Sequence, residues 1–167
     1  MEENLTDTPE VQELANEKVL EKFIQKIDTK KVESLKKEIE EYKAKLHGKE
    51  YAVSMTESIL VRFEKFMKNE VQWRSREALG VAEILKRIES VKKEGLKDGV
   101  AYFTNLEVEA SHYFILKWEG KGAKEIYDFV SLWKTFEETL ALVHQDNAIM
   151  EDLKKKLQAA EQGIELE

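Results

Sequence analysis

Glu109 and His112 form a Glu-x-x-His pair, half of the ligand set that a helical bundle uses to hold two iron ions. A complete site needs a second such pair and a carboxylate from each of two further helices. This chain has one pair only, and its other histidines, His47 and His144, lie far away in sequence. In a bundle of long helices the three imidazoles fall at different levels, so no metal ligand, catalytic residue or cofactor is assigned. No serine or threonine has a histidine at a spacing that suggests a nucleophile. Cysteine is absent, which removes thiolate chemistry, disulfides and sulfur-ligated metals. "GKG" at 120–122 lacks the context of a phosphate-binding loop.

The residues just after the pair are a better lead. Tyr102, Phe103, Tyr113, Phe114 and Trp118 crowd into 17 positions. One explanation is that they plug the open end of a helical core. The other is a docking surface, because aromatic anchors often dominate protein interfaces. Read as a helix, 106–118 is apolar nearly all round, with Leu106, Ala110, Tyr113 and Phe114 on one side and Val108, Ile115 and Trp118 on the other. If one side packs on the protein, the other needs a partner. Gly80, flanked by Ala78 and Ala82, marks a thin stretch of helix that either another helix of this chain or a second subunit approaches closely. Trp73 in "WRSR" offers a cation–aromatic surface. The candidate partner-binding residues are therefore Trp73, Gly80, Tyr113, Ile115 and Trp118.

The elements that must position these residues belong to a chain of 167 residues with 37% charged residues, one proline and seven glycines. Few breakers and many charges suit long amphipathic helices. A first helix is expected over 9–47 after a flexible acidic segment 1–8, opened by Thr8 and Pro9. Its apolar rows shift phase near Asp28–Thr29, which predicts a break there. A second helix over 54–94 opens with a capping box, Ser54 with Glu57. It carries two apolar rows: Leu60, Phe63, Met67, Val71 and onward, and Ile59, Phe66, Trp73, Gly80. A third helix over 123–162 shows the most regular pattern. Ile126, Phe129, Trp133, Phe136, Leu140, Val143, Asn147, Met150, Lys154 and Leu157 recur at alternating steps of 3 and 4. Taken alone that pattern is a coiled-coil seam, although its bulky aromatics fit three or more helices better.

The fold class expected is all-α: an elongated up-down-up three-helix bundle of helices about 40 residues long, in a single domain. Residues 95–121 form an insertion between the second and third helices. Thr104 and Glu107 give it a capping box, which favours a helix, although Tyr113–Leu116 would also suit a strand paired with "GVAYF".

The net charge of −7 includes −6 from residues 1–17, and no segment concentrates positive charge as a nucleic-acid binder does. The acidic N-terminus is opposite in sign to a secretory leader, and no apolar run approaches the length of a membrane span. These features point to a cytoplasmic protein with a protein partner or copies of itself, no nucleic acid and no membrane span. The leading expectation is a non-enzymatic structural or adaptor protein acting through helical contacts. Membership of a larger assembly, such as a virion or a secretion apparatus, would suit it. Two alternatives stand beside it: a small helical enzyme or ligand carrier with a pocket at the aromatic insertion, and a regulator using its acidic N-terminal arm.

Overall fold

The computed structural model describes residues 27–164 and the single position 16. The Thr8–Pro9 helix start, the apolar row through residue 24 and the acidic N-terminal arm lie outside the described residues. Two compact units divide the chain: residues 1–45 with 149–167, and residues 46–148. Among the described residues the elements run α1 (Thr29–Leu46), β1 (Glu50–Ser54), α2 (Glu57–Lys65), α3 (Ala78–Glu94), β2 (Val100–Thr104), α4 (Asn105–Leu116) and α5 (Gly122–Glu161).

This is not the all-α bundle of three matched helices expected from sequence. The described residues form five α-helices of unequal length and a two-stranded antiparallel sheet, and among these helices only α5 reaches 40 residues. The expected second helix is two helices. After α2 the chain widens into a π-helical turn, Phe66–Glu70, then runs extended from Val71 before a short 3₁₀ turn, Ser75–Glu77, leads into α3. The break has a packing reason. A straight helix carrying both apolar rows would leave one of them in water. The bend buries Phe66 and Met67 fully while turning Trp73 outward, 54% exposed.

The expected Ser54–Glu57 capping box does not form, because Ser54 ends β1. Thr56 caps α2 instead, its hydroxyl accepting from the Ile59 amide at 3.2 Å. Residues 95–121 are not an appendage. They supply β2 and α4 to the core of the second unit. "GVAYF" does form a strand, but its partner is β1, with Tyr51 opposite Phe103 and Val53 opposite Ala101. Alternation explains the pairing: Tyr51, Val53, Ala101 and Phe103 face inward, while Ala52 and Tyr102 face out. A lone hairpin is marginal in water, so helices must cover that inner face. They do: the Phe136 ring of α5 lies tilted against Phe63 of α2 at 4.9 Å and meets Phe103 edge-on at 5.5 Å. Buried Leu60, Ile84, Ile88, Val108, Ile115, Leu132 and Val143 complete the cluster.

The buried stripe of α5 here is Leu132, Phe136, Thr139, Leu140 and Val143: Phe136, Leu140 and Val143 are positions of the expected seam, and Leu132 and Thr139 lie beside it. Ile126 is 61% exposed, and Asn147 is exposed and donates to Glu109 at 3.1 Å. Thr139 is buried because its hydroxyl donates to the Ala52 carbonyl at 3.1 Å. That bond satisfies one carbonyl on the outer edge of β1, which would otherwise have no partner in the sheet.

In the first unit, Asp28 accepts from the Lys30 and Lys31 amides and starts α1. Ile39 of α1 is buried, as are Leu153, Ala159 and Ala160 of α5. Lys36 pairs with Glu161 at 2.9 Å.

Candidate functional site at the corner of helices four and five

α4 begins where β2 ends, and the junction is held by reciprocal capping. The Thr104 hydroxyl accepts from the Glu107 amide at 3.3 Å, and the Glu107 carboxylate accepts from the Thr104 amide at 2.9 Å. The same carboxylate accepts from Arg87 of α3 at 2.8 Å, and Arg87 also pairs with Glu50 of β1. These contacts fix which side of α4 meets the core. Val108, Ser111, Phe114 and Ile115 go inside. Leu106, Tyr113 and Leu116 stay outside at 70%, 47% and 55% exposure. They stand at i, i+7 and i+10, one stripe along the helix.

Tyr113 is held in place on that stripe. Its hydroxyl donates to Glu77 at 2.6 Å, and Lys117 donates to the same carboxylate at 3.0 Å while lying 4.8 Å over the Tyr113 ring. The Tyr113 hydroxyl, the Arg74 amide and Lys117 together hold the Glu77 pKa down at about 2. A ring fixed this way loses little freedom when something packs on it.

At the C-terminal end of α4 the stripe runs into a cleft of about 230 Å³. Leu116, Trp118, Gly120, Glu125, Ile126 and Phe129 line it. A second cleft, about 430 Å³, lies between α2 and the start of α5, with Ser58, Arg62, Lys65, Lys124, Asp128 and Ser131 among its walls. Glu125 belongs to both clefts. Trp118 also joins them, since it lines the first and lies against Arg62 with 4.7 Å between guanidinium and ring. Arg62 donates to Asp128 and to Glu70, each at 2.7 Å. Burial works against its charge, and the hydrogen bonds to Asp128 and Glu70 more than offset it, leaving its pKa above the ordinary arginine value. Glu125 turns back to accept from the Lys121 amide at the start of α5.

The five sequence candidates separate here. Tyr113 and Trp73 are at the surface. Ile115 is completely buried and Trp118 half-buried against Phe66 at 5.0 Å, so both serve the core first. The α4 backbone turned the opposite way from a surface placement of Ile115, because Arg87 and Thr104 set its rotation. Gly80 is approached by another helix of this chain: a Cβ there would sit 3.7 Å from the Phe114 ring. Arg62, Leu116, Ile126 and Phe129 were not singled out as site residues from sequence. The signal available for Leu116 was the nearly all-round apolar character of 106–118. Ile126 and Phe129 were hidden by the regularity of their heptad pattern.

Glu109 and His112 do not converge. Glu109 meets Asn147 and His112 meets Glu137 at 2.5 Å, and those two partners stand ten residues apart on α5, roughly 15 Å by helical rise. Among the described residues no group of three or more histidine or acidic side chains could hold a metal ion. No helix of the described residues is long and apolar enough to cross a membrane. No family model matches the chain, nor does any curated protein or any solved structure.

Proposed function

We propose that this protein is a non-enzymatic binding module, an adaptor or structural component that docks another protein along α4 and the corner cleft. The observation that carries the reading is the outward stripe of α4. Leu106, Tyr113 and Leu116 remain exposed on a helix whose opposite side is already buried, and Leu116 continues into an apolar cleft. Exposed apolar residues scattered singly mean little; here three share one side of a helix, with half-buried Glu109 and Ala110 between Leu106 and Tyr113, and the last of the three lines a cleft. The spacing suits an amphipathic helix laid alongside α4, its own apolar side chains entering between these anchors. Preorganised Tyr113 and the half-buried Trp118 are the residue types that contribute most at such contacts.

The test compares wild type with Leu116→Lys/Ile126→Lys. Both side chains are more than half exposed, so the thermal midpoint stays within about 2 °C. A protein retained by immobilised wild type and released by the double variant, identified by mass spectrometry, is the expected result. Light scattering of the free protein separates a foreign partner from a second copy. Binding that survives both lysines refutes docking at this corner.

A further inference from the structure

Resting on that reading, we infer that the docked segment is acidic: an apolar side chain fills the corner cleft while carboxylates of the same segment enter the neighbouring polar cleft and meet Lys65 and Lys124. The two clefts share Glu125 and are joined through Trp118, so one short segment can occupy both. The charge distribution selects its sign. Formally the polar cleft is balanced, with Arg62, Lys65 and Lys124 against Glu70, Glu125 and Asp128. All three acids are engaged, though. Glu70 and Asp128 hold Arg62, and Glu125 accepts from the Lys121 amide. Lys65 and Lys124 are exposed, on α2 and α5 respectively, and no ion pair or hydrogen bond of theirs occurs among the described residues. What the cleft offers an incoming segment is therefore two uncommitted ammonium groups, and the Ser58 and Ser131 hydroxyls stand beside them. The first turn of α5 adds the positive end of a long helix. A basic segment would find one oxygen of each carboxylate already bound and would face the two lysines as like charges. A wholly apolar segment would leave those lysines uncompensated but could still use the corner cleft, which is why the sign of the charge is the discriminating feature.

The probes are two fluorescently labelled four-turn model helices with identical leucine positions, one carrying glutamates and the other lysines elsewhere. Anisotropy titrations are run against the full chain, against Lys65→Glu/Lys124→Glu, and against Leu116→Lys/Ile126→Lys. The glutamate helix should bind about tenfold more tightly than the lysine helix, an increment that two partly exposed ion pairs and the avoided repulsion can supply. The preference should vanish or invert in Lys65→Glu/Lys124→Glu. It should also fade at about 1 M salt, where the screening length falls to about 3 Å. Leu116→Lys/Ile126→Lys should abolish binding of both helices. Equal binding, or tighter binding of the lysine helix, overturns the acidic assignment while leaving docking at the corner standing. Binding of neither helix, or binding that Leu116→Lys/Ile126→Lys does not alter, overturns the assignment together with the shared use of the two clefts.

Discussion

Replacing Arg62 by methionine removes one guanidinium from between two carboxylates and an indole. Its bonds to Asp128 and Glu70 are both 2.7 Å, and its side chain is 17% exposed. A charge-assisted hydrogen bond that is fully buried contributes about 1.5–3 kcal/mol. Here Glu70 and Asp128 are 23% and 27% exposed, so water recovers part of what each loses, and about 1 kcal/mol per bond is the better figure. Loss of the contact with Trp118 adds roughly 0.5–1 kcal/mol, as a partly desolvated cation–aromatic pair does. Methionine refills most of the aliphatic volume, so no large cavity term enters. The expected loss is about 2.5 kcal/mol. With a urea slope near 2 kcal/mol per molar, that lowers the midpoint by a little over 1 M in denaturation followed by tryptophan fluorescence. Arg62→Lys separates charge from geometry. Lysine keeps the charge but cannot fork to two carboxylates and lie flat on an indole together, so it should recover less than half of the loss. A loss below about 0.5 kcal/mol for the methionine variant would refute this account. So would a lysine variant as stable as wild type, and Arg62 would then be a surface residue with a favourable pose.

Two further outcomes follow from the same geometry. Glu77 is depressed from its ordinary 4.5 to about 2, so the folded form favours its carboxylate. Its contribution is complete above the unfolded value and is lost as pH falls from about 4.5 towards 2. Acid titration of stability should be flatter over that window in Glu77→Gln, and a curve parallel to wild type would count against the Tyr113–Glu77–Lys117 cluster. At Gly80, an added methyl meets the Phe114 ring at 3.7 Å, an ordinary contact. Gly80→Ala should therefore stabilise the protein by about 0.5–1 kcal/mol through helix propensity, whereas Gly80→Leu should destabilise it by displacing Phe114. Destabilisation by the alanine variant in thermal melts would mean that the helices approach more closely than this.

Local signals were legible. Thr104 with Glu107, three residues apart, gives the capping box that opens α4. Gly48 and Gly95 take positive φ, +68° and +79°, just beyond α1 and α3. Each of these depends on neighbours within one turn, where chain sequence and chain geometry coincide. The candidate site was half legible. The crowded aromatics of 102–118 fall in the region of the proposed site, and the apolar character of both sides of 106–118 agrees with a helix that buries one side and leaves Leu106, Tyr113 and Leu116 exposed. Which side that is could not be read, and Ile115 and Trp118 went to the core.

What the sequence by itself determined is helical character and several helix ends, because periodicity and capping are properties of short stretches. What only the tertiary structure decided is the pairing of Tyr51 with Phe103, the bend that splits α2 from α3, the rotation of α4 and the meeting of Arg62 with Asp128. Each of these joins residues far apart in the chain or trades one apolar row against another. Short strands and wide apolar faces have several nearly equal local solutions. The choice among them is made by an arrangement that buries Phe63, Phe103 and Phe136 together while Thr139 bonds the Ala52 carbonyl.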